Sequence, residues 1–208
     1  MSGFSRLLDL LYPRRCPLCG SLSPESPCAV CLSDFPEARF PFRSGDGEVA
    51  SWASVYSYHG RAAQAVQLLK YNRRTSLSSA MSAALKRRYE EVFAPVDAVV
   101  PVPIHWSRRC TRGFNQSELL CEAFPAALVR TDVLFRVRAT RPQVGLSHEE
   151  RLTNLQGAFR AKGAPGMSIL LVDDVLTSGQ TARECARALR AAGAREVAFL
   201  AFAGETER

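Results

Sequence analysis

The chain of 208 residues is 47% hydrophobic and 23% charged, a globular composition that excludes a wholly disordered, collagenous or coiled-coil protein. It is long enough for one α/β core with a small appendage and too short for two ordinary enzymatic domains. Its apolar runs, SILLV and VAFLAFA, fall far short of the roughly 20 residues of a membrane span, and no charged-then-apolar leader opens the sequence, so a cytoplasmic protein without a span is expected.

The formal charge of +7 has one source. Between His59 and Arg112 ten Lys/Arg stand against three acids, and the rest of the chain is balanced. Such a surplus suits phosphates of a small substrate or a nucleic-acid backbone, or is a solvated face.

In chain order, Phe4, Leu7, Leu8 and Leu11 have the spacing of a short amphipathic helix. Four cysteines follow, and then a stretch rich in Pro, Gly and charge over 36–47 that reads as a linker. This divides the chain into residues 1–46, holding helix, cysteine module and linker, and a main domain over 47–208. SWASVYSY is a strand by its alternation. Two helices are predicted over 61–71 and 76–93, the second ended by Pro95. DAVVPVP suits a buried parallel strand, 114–124 a helix, and 126–137 a strand region. Residues 138–166 read as a long functional loop. A strand over 168–175, a helix over 181–192 capped by Gly193, and a strand over 195–203 close the chain. Strands alternating with helices imply an α/β fold with a largely parallel sheet flanked by helices.

Cys16, Cys19, Cys28 and Cys31 form two C-x2-C knuckles, and each tight turn can aim two sulfurs at one ion. Structural zinc is the expectation, with iron, reduced thiols and a redox pair as the alternatives. Whether such a module binds nucleic acid, binds protein or only staples the fold is left open by the motif.

The most informative segment is ILLVDDVLTSGQT, residues 169–181. A buried strand delivers Asp173 and Asp174 to the carboxyl edge where open α/β sheets bind ligands. Val175, Thr177, Ser178, Gly179, Gln180 and Thr181 then bring hydroxyls and a glycine turn to a helix start, a place suited to phosphate. The acids would repel phosphate but accept hydrogen bonds from vicinal hydroxyls, so a ribose 5-phosphate ligand is expected. The plainer alternative makes the acids caps and the hydroxyls turn formers.

This segment resembles the phosphoribosyl-pyrophosphate signature of type I phosphoribosyltransferases. With VVPVPIHWSRRCTRGFNQSE, the Lys70-Tyr71 pair, QVGLSHEERLTNLQGAF and the four-cysteine knuckle, nearly the whole chain resembles the ComF family of competence-associated proteins. The resemblance implies a type I phosphoribosyltransferase-like fold behind a zinc finger, phosphoribosyl pyrophosphate bound with magnesium, and a part in uptake of transforming DNA beside other competence proteins. It further implies that His105, Arg108, Arg109 and Arg112 form a pyrophosphate loop. Arg151 and Asn154, helped by Arg141 and Gln143, would belong to a flexible catalytic loop. Asp173, Asp174 and Arg151 are then the candidate catalytic residues.

Two other readings compete with an enzyme. Single-stranded DNA could lie along the basic stretch, with Lys70, Tyr71, Arg73, Arg74, Arg87 and Arg88 as contacts and Trp106 and Phe114 as further stacking surfaces. A metabolite sensor could bind the activated sugar without turning it over.

Overall fold

A computed structural model describes residues 13–38, 42–45, 47–140 and 154–205. The helix expected over the first residues, and Arg141, Gln143 and Arg151, lie outside the described residues. The elements in order are α1 (Ala29–Ser33), β1 (Phe42–Ser44), β2 (Ser51–Ser57), α2 (Gly60–Asn72), α3 (Ser78–Val92), β3 (Ala98–Pro101), α4 (Trp106–Arg112), α5 (Gln116–Leu119), β4 (Leu134–Arg136), β5 (Phe159–Ala161), β6 (Ser168–Leu176), α6 (Gln180–Ala191) and β7 (Glu196–Gly204).

Five strands form one sheet in the order β1-β2-β7-β6-β3. All neighbours run parallel except β1 against β2. The central strands are buried on both faces, which explains their nearly unbroken apolar sequence. Period-2 alternation sorts them: Leu170 and Val172 of β6 with Leu200 and Phe202 of β7 meet α2 and α3. Ile169 and Leu171 with Val197 and Phe199 meet α6 and the β4-β5 hairpin. Helices therefore cover both faces, as expected of a type I phosphoribosyltransferase-like fold.

The cysteine module packs on the first of these cores. Cys16, Leu18, Cys31 and Phe35 are buried in the same apolar cluster as Val66 and Leu69 of α2. Phe35 makes edge contacts with Tyr56 at 5.0 Å and Phe202 at 5.9 Å. Arg61 of α2 donates to the Leu18 carbonyl at 2.9 Å.

Several local expectations are corrected. The stretch read as a linker contains β1, which pairs with the free edge of β2 and sets Phe42 against Phe93 at 5.9 Å. The basic segment after β3 is helix α4, not a loop; it has no buried residue and so carries no apolar period. The helix expected over 114–124 is helical only at Gln116–Leu119. Ser82 of α3 explains the stop, because its hydroxyl donates to the Leu120 carbonyl and accepts the Ala123 N–H, each at 2.8 Å. The strand region over 126–137 shrinks to β4, paired with β5 in a separate two-stranded sheet.

Candidate ligand cavity and cysteine cluster

At the carboxyl edge of the sheet lies a cavity of about 590 Å³ that takes residues from α2, α4, α5, β4 and the turn after β6. This is the edge at which the strand-to-helix connections of an α/β sheet leave room for a ligand.

Its floor carries the two acids. Asp174 has the same strand parity as Leu170 and Val172, toward α2, and its Oδ1 lies 2.9 Å from the Lys70 ammonium. Asp174 is 3% exposed, and its Oδ2 has no hydrogen-bond partner among the described residues. Asp173 is half-buried. Its Oδ1 accepts from the Ser117 hydroxyl at 2.8 Å and from the Asp174 N–H at 2.9 Å. Burial and then the adjacent Asp174 push the Asp173 carboxyl up to about 7, against the pull of Lys70 and the Ser117 hydroxyl. Burial opposes the charge of Lys70, but Asp174 and Asp173 together overcome it and hold the ammonium above its ordinary value.

The turn after β6 is shaped by Gly179. Its φ of 72° is in the left-handed region, and a Cβ there would stand 3.1 Å from the buried Trp52 ring and 3.2 Å from Arg183. Only glycine suits both constraints. Gly179 is also the N-cap of α6 and supplies no side-chain cap. The first N–H groups of this twelve-residue helix, at its positive end, therefore receive no side-chain acceptor from the N-cap residue. Val175, Thr177 and Thr181 line the cavity. Gln180 is buried and donates to Glu184 at 3.3 Å.

Opposite stands α4. Arg108, Thr111 and Arg112, spaced i, i+3, i+4, line the cavity together, as one helical face should. Arg112 donates to Gln116 and sits 5.8 Å over the Tyr71 ring. Arg109 points elsewhere and pairs with Glu118 at 2.8 Å. His105 is buried as the N-cap of α4; its Nδ1 accepts the Ser107 N–H at 3.3 Å and lies 2.8 Å from the Ser107 hydroxyl.

The cavity thus gathers Asp173, Asp174, Val175, Thr177, Thr181, Arg108 and Arg112, with Lys70 and Tyr71 from the set read as DNA contacts. It does not gather His105, Arg109, Arg73, Arg74, Arg87 or Arg88. Arg73 donates to the Thr111 carbonyl at 2.8 Å, and Arg88 pairs with Glu91 at 3.0 Å. Asn154 is half-buried, and its carbonyl accepts from Arg138 at 3.0 Å. Two further residues at or beside the cavity were not singled out from the sequence. Ser117 aims Asp173, and the signal for it was the Asn-x-Ser cap of α5, where Asn115 accepts the Ser117 N–H at 3.1 Å. Arg136 also reaches the cavity, and no motif marked it.

The four sulfurs of Cys16, Cys19, Cys28 and Cys31 lie within 4.8 Å of one another. The Cys19–Cys28 sulfur separation is 3.7 Å, close to the edge of roughly 3.8 Å in a tetrahedron whose metal–sulfur bonds are about 2.3 Å. The Cys28 N–H also points at the Cys16 sulfur, 3.4 Å away. Hydrogen bonds from Ser21 hold Cys19 down to about 6. The donor set could hold one zinc ion.

Residues 128–208 match the phosphoribosyl transferase domain, a match in keeping with the parallel sheet and helices on both its faces. The chain is 36% identical over 195 residues to DNA utilization protein YhgH of Salmonella typhimurium, covering 88% of this chain and 80% of that protein. It is 35% identical over 108 residues to Competence protein F of Haemophilus influenzae, covering 49% and 47%. Against Competence protein ComFC of Bacillus subtilis it is 29% identical over 175 residues, covering 84% and 70%. A solved glutamine phosphoribosylpyrophosphate amidotransferase from B. subtilis overlays 65% of this chain with 21% identity and a TM-score of 0.42, and the chain spans 30% of that enzyme. The chain belongs to the ComF family. No helix among the described residues is long and apolar enough to cross a membrane.

Proposed function

We propose that the cavity binds phosphoribosyl pyrophosphate with magnesium. One observation carries the reading: a carboxylate pair, an uncapped helix N-terminus and two arginines from α4 converge on one cavity. Asp173 and Asp174 accept from the ribose hydroxyls, with Asp174 held against the cavity by Lys70. The amides between Val175 and Thr181 hold the 5-phosphate, and Arg108 and Arg112 hold the pyrophosphate. Magnesium would be held mainly by the ligand's hydroxyls and pyrophosphate, with Asp173 and Asp174 orienting it, and would neutralise the leaving group.

Catalysis in such a site is displacement of pyrophosphate from the anomeric carbon by a nitrogen nucleophile. The C–O bond to pyrophosphate breaks, a C–N bond forms, and the acids stabilise the positive charge that develops on the ribose. Arg151 is proposed to close over the ligand. The test is an assay of released pyrophosphate with magnesium and candidate nitrogen acceptors. Turnover supports the enzyme, whereas tight binding without turnover supports a sensor of the activated sugar.

We infer a second ligand class, single-stranded DNA, from the cavity rim. Tyr71 is 72% exposed, beneath Arg112, and Arg73 and Arg74 follow it at the end of α2. An exposed ring among cations suits base stacking, and the relatives' names place them in DNA utilization and competence. A part in DNA uptake beside other competence proteins follows from this reading. Structural zinc in the cysteine cluster completes the proposal.

A further inference from the structure

We propose that Arg136 is an anion-binding residue of the cavity, which grips the pyrophosphate end of the ligand together with Arg108. The proposal rests on the phosphoribosyl-pyrophosphate reading and adds a residue from a different element.

Arg136 ends β4 and lines the cavity from the hairpin. Its guanidinium lies 5.3 Å over the Phe159 ring and donates to the Thr140 hydroxyl. Its Nε is buried and has no hydrogen-bond partner, and no carboxylate pairs with it among the described residues. A guanidinium does not shed its proton to escape such a place. A half-buried cation of this kind gains from an anion that reaches its open side.

The neighbouring charge sharpens the point. Burial first, and then the positive charge of Arg108, work against Arg136, and the nearby charge of Asp173 offsets only part of this. Arg108 lines the same cavity, and its guanidinium makes no hydrogen bond or ion pair among the described residues, although its backbone bonds to His105 and Thr111. The other cavity cations are engaged, Lys70 with Asp174 and Arg112 with Gln116. Two arginines close enough to repel, on separate elements and facing one cavity, match a ligand with several adjacent anionic oxygens. Pyrophosphate has that form, and each planar fork can take two of its oxygens.

The experiment titrates the full chain by calorimetry with two probes at fixed magnesium, inorganic pyrophosphate and ribose 5-phosphate. Wild type should bind both. Arg136→Met should weaken pyrophosphate about tenfold or more while ribose 5-phosphate changes by less than about twofold, with Arg136→Lys between. Thermal unfolding of each variant verifies the fold, and if Arg136→Met fails to fold, Arg136→Lys carries the comparison. Unchanged pyrophosphate affinity in a folded variant, or equal loss for both probes, overturns the role of Arg136 and leaves the cavity assignment intact. Wild type that binds ribose 5-phosphate but not pyrophosphate overturns it too. Wild type that binds neither overturns the cavity assignment as well.

Discussion

The ammonium of Lys70, near the end of α2, lies 2.9 Å from the carboxylate of Asp174, near the end of β6. This pair joins the helix that carries the cysteine module to the strand that carries the ligand acids. Lys70→Met leaves a buried carboxylate unpaired, and loss of a partner from a buried pair costs about 3 kcal/mol or more. Chemical denaturation should show that loss for Lys70→Met and a smaller one for Lys70→Met with Asp174→Asn, because the double variant leaves no orphan charge. Equal losses would mean that the two side chains are not coupled.

Ser117 is a positioning residue for Asp173. Ser117→Ala should cost about 1 kcal/mol of stability and lower ribose 5-phosphate affinity by more than that loss explains, while Ser117→Thr, which keeps the hydroxyl, restores much of it. Calorimetry on the three proteins checks this, and an alanine variant that binds like wild type contradicts it.

The carboxyl of Asp173 sits at about 7 in the folded protein against an ordinary value of 3.8. A value raised on folding adds stability that is fully present below pH of about 4 and lost as pH rises through about 7. Urea midpoints between pH 5 and 8 should therefore contain a falling component that Asp173→Asn removes. A variant with the same slope as wild type would assign that component elsewhere.

How much of this could be read from the chain differs by element. β6 was legible because four apolar residues, two acids and a glycine turn occur contiguously, so strand, site and helix start share one stretch of sequence. The burial of Asp174 under Lys70 from α2 was not legible, because it is a contact across the chain that no local pattern encodes. Lys70, grouped from the sequence with the DNA-contact candidates, lines the cavity and pairs with Asp174. β1 and β5, of three residues each, are too short to establish a period of two. Arg136 was hidden for a similar reason. It lies in the basic run before the expected loop, and its burial is set by packing on Phe159 across the hairpin.

Removal of metal should reach beyond the cysteine module. Because Cys16, Cys31 and Phe35 share the core with α2, a strong chelator should lower the melting temperature of the whole chain, and Cys16→Ser with Cys31→Ser should lower it further. Elemental analysis should find one zinc per chain in the untreated protein. A chelated protein that melts like the untreated one would reduce the module to an independent appendage.

The most direct measurement is a calorimetric titration of the full chain with phosphoribosyl pyrophosphate, with and without magnesium, on wild type and on Asp173→Asn with Asp174→Asn. The account predicts one site per chain that requires magnesium and is lost in the folded double variant. Absence of binding to wild type, or equal affinity in the double variant, would contradict it.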